Sequence, residues 1–463
     1  MINKYCFMLP ILPILPFAQA TPIPPQEVLQ PQEVRPLPGK LDTVLVFNSN
    51  SPELVQTEGI LLSTFPPDGK VPTAHLNFPL QGRFDLFAHH VAKAPSLLNL
   101  RSLYLGVILY NPSTQPVTID ILQAASYLSQ PDAPFIELPP SVENLLGTVF
   151  AGPGDRVMND VLRGRQASFP PQIVIPPQQS QMLLNLPIPV QSLDPPINGR
   201  STLMRLRSNG TVYAASLAMY APVNPDGTSL SPTLAEWQQL LDTGGLAGPR
   251  DQVPTPPEQT TKVIYGRVAG VVQGSQWQAQ VVDNPDTQYL SIPQRGQAFS
   301  YGLSTLNLGR LGTDQVQSAP LLVRYPDTAY RAHGNYGIQY SLSLPLNNNT
   351  EQFQSVTLSI QTPIKEDQLS KGGLRFFEPP ASQVFFRGTV RVKYNDDQGL
   401  PQTQYVHLVQ KRGQQGEPLV MLNMKQGDRR LVQIDFLYPP DSTPPQVLTI
   451  KTLESSIAIP SKL

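Results

Sequence analysis

The sequence holds one cysteine, Cys6, in 463 residues. A lone cysteine excludes intrachain disulfides and cysteine-based metal sites, so the cores alone must hold the fold. Charge is scarce too: Asp, Glu, Lys and Arg make up 14 % of the chain, with a formal net charge of -1, against roughly 25 % charged residues in an average soluble protein. That balance offers no basic surface, and no nucleic-acid partner is expected. The five histidines, His75, His89, His90, His333 and His407, show no metal-ligand spacing. No Gly-x-Ser-x-Gly elbow, Ser-x-x-Lys or phosphate-loop lysine occurs. After residue 20 no run reaches the roughly 18 apolar residues of a membrane helix, so no integral span is expected in the mature chain.

What the sequence does hold is proline, at 52 residues, and 40 % hydrophobic residues arranged with a period of two. The stretch LYLGVILYNPSTQPVTIDIL, 103–122, sets the pattern. Leu103, Leu105, Val107 and Leu109 alternate, a polar segment from Asn111 to Pro116 turns the chain, and Val117, Ile119 and Ile121 resume. This predicts a β-hairpin. Similar strand, turn, strand signals fall at 173–186 and around Ser208-Asn209-Gly210, where Asn-Gly predicts a tight hairpin. The second half repeats the plan: 338–344, a turn at Asn347 to Thr350, then 356–360, with 419–424 and 431–437 echoing 173–186. A further pair, 384–394 and 402–409, flanks Asn395 to Gly399. One helix is predicted over 231–243, with Ser231 as cap, Pro232 in the first turn, Leu234, Trp237, Leu240 and Leu241 on one face, and Gly244 as terminator.

These signals predict a mainly β protein of two tandem antiparallel β-sandwich, Ig-like domains with a short connecting helix. The expected divisions are a signal peptide at 1–20, a Pro-rich extended leader at 21–42, sandwiches at 43–230 and 263–452, a helix and Pro/Gly-rich linker at 231–262, and a tail at 453–463. MINKYCFMLPILPILPFAQA has Lys4, an apolar run and a final Ala-Gln-Ala, the layout of a secretory signal, which predicts export to the periplasm, cell envelope or medium. Cys6 leaves with it.

Candidate ligand-binding residues are few. Tyr325, Tyr330, Arg331, His333, Asn335 and Tyr336 form a dense aromatic and polar cluster, suited to stacking sugar rings or to covering a sheet edge. Asp85 and His89 share a strand face at i and i+4, whereas His89 and His90 face opposite sides. Asn224 to Gly227 and Asn395 to Gly399 place carboxylates beside glycine and read as tight turns, so neither metal nor cofactor is expected. The function expected is a structural or binding component of the envelope that contacts polysaccharide or another envelope protein, a reading that the composition favours over an enzyme. The alternative is a glycan hydrolase with a carboxylate pair drawn from Asp85, Glu137, Asp155 or Asp160; a third reading is an adaptor that self-assembles through edge strands.

The stretches PELVQTEGILLSTFPPDGK, GRFDLFAHH, SYLSQPDAPFIELPP, AGPGDRVMNDVLRGR, TLAEWQQLLD, YPDTAYRAHGNYGIQYSL and QTPIKEDQLS resemble a cyanobacterial family of exported proteins known only as a domain of unknown function. The resemblance spans nearly the whole mature chain. It implies an envelope or periplasmic setting and supplies no activity, cofactor or catalytic residue.

Overall fold

The structure, a computed structural model, describes residues 25–165, 169–226, 228–259 and 263–455. The expected signal peptide, 1–20, and residues 456–463 of the expected tail lie outside the described residues. As the period-two alternation requires, strand dominates. The described residues form 27 strands, two α-helices and one 3-10 turn, in sheets of 12, 8, 5 and 2 strands. Among them no helix is long and apolar enough to cross a membrane.

The segment at 103–122 makes two strands, Leu103–Tyr110 and Val117–Leu128, yet they do not form the expected hairpin. Leu103–Tyr110 lies between Ser180–Ile188 and the second part of the long strand Ile197–Tyr220. Val117–Leu128 lies between Gln172–Ile175 and the first part of that strand. The chain therefore arches from one layer to the other. Asn111, fully buried, is the reason. Its side-chain nitrogen donates to the carbonyls of Gln115 at 2.7 Å and Ile175 at 3.1 Å, and its oxygen accepts from the Ser113 amide at 2.9 Å and hydroxyl at 2.7 Å. One amide thus satisfies backbone groups that a strand-to-strand ladder would otherwise take.

The second half contains the same device. Gln339–Asn347 pairs with Arg429–Leu437, while Gln354–Gln361 pairs with Val420–Met424, so 173–186 and 419–437 are arches in matching positions. Asn348, also fully buried, donates to the carbonyls of Gln352 at 2.9 Å and Met424 at 3.0 Å and accepts from the Thr350 amide at 3.0 Å and hydroxyl at 2.7 Å. The turn at 395–399 does make a hairpin, between Val384–Asn395 and Pro401–Lys411. Its Asp396 carboxylate accepts from the amides of Gln398 at 3.0 Å and Leu400 at 2.9 Å.

The Asn209-Gly210 signal is not a hairpin. Ile197–Tyr220 runs through it as one strand of 24 residues, with a register break between Ser208 and Val212. Gly210 passes so close to Val117 that a Cβ there would stand 2.7 Å from Cγ2. The bend lets one strand serve both layers.

Two large cores result. One gathers Phe47, Phe84, Leu105, Leu109, Ile119 and Leu206; the other gathers Tyr340, Leu342, Leu358, Phe386, Phe436 and Ile450. Pairing also crosses the 231–262 segment, since Leu45–Ser49 lies parallel to Leu80–Lys93 and antiparallel to Ala269–Gln273. The extended residues 26–41 are paired rather than free: Gln26–Pro31 with Gly373–Glu378, Glu33–Arg35 with Ala298–Leu303, and Lys40–Leu41 with Gln276–Gln280.

Helix α1, Pro153–Leu162, had no counterpart in the sequence reading, although Val157, Met158, Val161 and Leu162 are spaced for one buried face. They enter the second core. Helix α2, Leu234–Thr243, begins one residue after its cap, Thr233, which forms a capping box with Glu236. Ser231 is therefore not the cap: the box needs a hydroxyl three residues before Glu236. Gly244 ends the helix. Trp237 is fully buried against Gly106, where a Cβ would sit 2.7 Å from the indole.

Replacing Asn111 or Asn348 by Ala leaves one buried carbonyl each, that of Ile175 or Met424, without its side-chain donor, a loss of about 1–3 kcal/mol per unsatisfied group. Urea denaturation of each variant is expected to show a similar drop of about 1–3 kcal/mol at the two sites. Near-unchanged midpoints would remove the asparagines from their role in the arches.

Candidate functional site

A pocket of 180 Å³ opens where strand ends and loops from both halves meet. Asn48 and Asn50 come from the end of Leu45–Ser49, Tyr265 to Val268 from the segment before Ala269–Gln273, Ala332 to Tyr336 from the 325–338 loop, Lys365 from the segment after Gln354–Gln361, and Ser442 to Pro444 from a turn. That volume is close to the roughly 150 Å³ of an engineered cavity that holds one benzene ring, so the pocket has room for one ring.

The 325–338 loop is fixed from within. Asn335 sits at φ 50°, a conformation that asparagine tolerates better than most residues. Its amide donates to Gln317 at 3.1 Å and to the Tyr340 hydroxyl at 3.2 Å and accepts from the Ala319 amide at 3.1 Å. Gly334 leaves space for the Tyr336 ring, since a Cβ would stand 2.4 Å from it. The loop thereby presents His333 and Tyr336 to the pocket. Tyr336 donates to the Ser442 carbonyl at 3.0 Å, and burial pushes its hydroxyl up to about 12.

The opposite wall is Tyr265 with Lys365. The Lys365 ammonium donates to the Tyr265 hydroxyl at 2.5 Å and lies 4.4 Å from its ring centre. That hydroxyl donates in turn to the Asn307 carbonyl at 2.6 Å. His333 packs on Tyr265, ring centres 4.8 Å apart. Burial pulls Lys365 down to about 8, opposed by Asp367, and pulls His333 down to about 4, assisted by Arg331 and Lys365. His333 is therefore neutral near pH 7. Arg267 is held by Glu53 and, at 3.4 Å, by Asp251. Among the described residues no Asp or Glu lines the pocket.

The residues singled out in the sequence are thus divided. His333, Asn335 and Tyr336 line the pocket. Tyr325 does not: its hydroxyl donates to the Ala74 carbonyl at 2.8 Å and accepts from the Ser63 amide at 3.0 Å, inside the first core. Tyr330 lies under the Arg324 guanidinium, 3.7 Å from its ring centre, and the exposed Arg331 reaches the Ser318 carbonyl at 3.3 Å. Asp85 is buried beside Arg83 and Arg205, and burial pushes its carboxyl up. His89 meets the Ser201 hydroxyl at 2.7 Å, with Glu53 at 3.8 Å. His90 faces the other way, toward the Ser49 hydroxyl at 2.9 Å and the Pro52 carbonyl at 2.8 Å.

Of the hydrolase candidates, Asp155 is enclosed with His407 at 2.6 Å, Asp160 accepts from Tyr127 at 2.8 Å and Glu137 is exposed. Among the described residues no group of three or more His, Cys, Asp or Glu is placed to hold a metal ion. Asn48, Asn50, Tyr265, Lys365 and Ser442 were missed, because the pocket is assembled from six separate segments, Leu306 supplying the sixth. The one local signal is a single lysine in the uncharged run Gln361-Thr362-Pro363-Ile364-Lys365.

A family model described as protein of unknown function (DUF3370) matches residues 32–452, and the chain belongs to that family. No curated protein matches. Solved structures aligned to it include Lac15 from a marine microbial metagenome, at 11 % identity over 91 % of this chain and 68 % of that one with TM-score 0.11. Others are the 11S allergen from Cocos nucifera L., at 12 % identity over 81 % of each chain with TM-score 0.09, and procruciferin, an 11S globulin from Brassica napus, at 12 % over 86 % and 85 % with TM-score 0.10. Scores this low relate neither fold nor function.

Burial holds His90 near about 4 rather than 6.5, with His89 adding to the shift and the Pro52 carbonyl, Glu53 and Ser49 opposing it. The unfolded chain takes up this proton near 6.5 while the folded one resists until about 4. The stabilisation from the neutral imidazole is complete above 6.5 and is lost as pH falls through that window, a loss of roughly 3 kcal/mol. Stability curves of His90→Gln and the parent protein are expected to diverge across this window, with the variant flatter. Parallel curves would contradict the assignment.

Proposed function

We propose that this member of a family of unknown function is an exported binding protein of the cell envelope that takes one sugar ring, the accessible end of an envelope polysaccharide. The pocket carries the reading: the rings of Tyr265, His333 and Tyr336 line it together with the polar side chains of Asn48, Asn50 and Ser442, in a space of one-ring size. Flat apolar faces beside a few convergent polar groups are what sugar recognition needs. Export rests on the pattern of residues 1–20, and the cyanobacterial envelope setting on the sequence resemblance. At the level of fold, the two cores and the matching arches support two tandem Ig-like sandwiches that share strands at their seam. The hydrolase alternative finds no support at the pocket, whose wall has no carboxylate.

Titration calorimetry of the mature protein with monosaccharides is expected to show saturable binding. Tyr265→Ala, which removes one aromatic wall of the pocket, is expected to weaken it about tenfold, or about 1.4 kcal/mol. Absence of binding to every monosaccharide tried, with the protein shown to be folded, would end this reading.

A further inference from the structure

The pocket presents groups that the protein itself leaves incomplete. The Lys365 ammonium has one neutral partner, the Tyr265 hydroxyl. The nearby acid, Asp367, is already engaged by the Arg310 guanidinium, whose Nε lies 2.8 Å away. The other pocket cation, Arg267, is paired with Glu53 and Asp251. Lys365 is thus the pocket cation without an anion among the described residues.

Three acceptors lining the same pocket also lack partners. Asn48 and Asn50 are each 4 % exposed and Ser442 is 2 % exposed, yet Asn48 Oδ1, Asn50 Oδ1 and Ser442 Oγ have no hydrogen-bond partner. Buried polar atoms are seldom left so, because an unsatisfied group costs about 1–3 kcal/mol. Asn335, which lines the same pocket, is fully bonded. The missing partners are therefore one anionic group beside Lys365 and hydroxyl donors beside Asn48, Asn50 and Ser442.

Resting on the sugar-binding reading above, we infer that the ring this pocket takes is an acidic sugar, a uronic acid whose carboxylate pairs with Lys365 and whose hydroxyls donate to Asn48, Asn50 and Ser442. A neutral hexose satisfies the acceptors and leaves the ammonium bare. A free phosphate satisfies the ammonium and brings few donors for the acceptors. A uronate completes both, and its single charge matches the single unpaired cation. A charge-assisted bond in a partly enclosed site is the stronger kind. The faces around Lys365 do not compete for the carboxylate: Tyr265 and Tyr336 stay protonated near pH 7, each pushed up to about 12, His333 is neutral, and Asp367 is held ionised by Arg310.

The test titrates the mature protein with D-glucuronate, D-glucose and inorganic phosphate at fixed ionic strength near pH 7. Glucuronate is expected to bind at least about tenfold tighter than glucose. Lys365→Met should abolish that preference, and Lys365→Arg should retain it. On the unmodified protein, which needs no variant to fold, the preference should fall as pH is raised through about 8, where Lys365 loses its charge. Glucose binding with no gain for glucuronate would overturn the acidic-sugar assignment and leave the sugar reading standing. Binding of neither sugar would overturn both. Phosphate binding as tightly as glucuronate, or a preference that survives Lys365→Met, would also overturn the assignment.

Discussion

Each half of the molecule depends on one buried amide at the point where the chain leaves one layer for the other. Asn111 and Asn348 use both ends of the side chain, with nitrogen to backbone carbonyls and oxygen to an amide and a hydroxyl. A turn that closes a hairpin satisfies its backbone across the two strands it joins. An arch sends those strands into different layers, so its backbone groups need another partner inside the protein. The asparagine supplies it, and each arch fixes which strand belongs to which layer. Leu103–Tyr110 is thereby committed to Ser180–Ile188 and Val117–Leu128 to Gln172–Ile175.

The matching wiring in the two halves shows that the repeat in the sequence is a repeat of structure. Gln339–Asn347 takes Arg429–Leu437 and Gln354–Gln361 takes Val420–Met424, as in the first half. The hydroxyl two residues after the asparagine, Ser113 or Thr350, and the carbonyl two residues further on, Gln115 or Gln352, are equivalent as well. The local pattern N-x-[ST]-x-Q is shared by NPSTQ and NNTEQ. It is the chemically informative part of the repeat, because the Asn and Ser or Thr side chains hold the arch and the strands beside them need only alternate.

Much of this was legible in the sequence for a physical reason and some was not for an equally physical one. Alternation reports that a segment is a strand with a buried face, and it located Leu80–Lys93, Gln339–Asn347 and Val384–Asn395. It is silent on the partner, which is why 103–122 and 173–186 read as hairpins and proved to be arches. Asn209-Gly210 is a turn signal only when the flanking strands can pair; here both flanks are held by other strands, and the glycine serves close approach to Val117. Tyr325 and Tyr336 look alike in sequence. The first is spent on backbone of the Ser63 and Ala74 region, and the second faces the pocket. Helix α1 went unread although Pro153 sits at its first position.

The pocket lies where the two halves differ, and that placement has a consequence. The loop leading into Leu103–Tyr110 holds Leu97 and Leu98, both strongly exposed, whereas its counterpart leading into Gln339–Asn347 holds His333, Asn335 and Tyr336 and folds against Ser318 and Ala319. The arches must be kept in both halves because the layers depend on them. The entry loops are free of that demand, so one can carry polar and aromatic groups that the other lacks. Asn48 and Asn50 complete the pocket because Leu45–Ser49 pairs with Ala269–Gln273, bringing first-half amides to a second-half loop. Separating that strand pair would dismantle the pocket while leaving both asparagine arches intact, so the seam, more than either core, decides whether a ligand site exists.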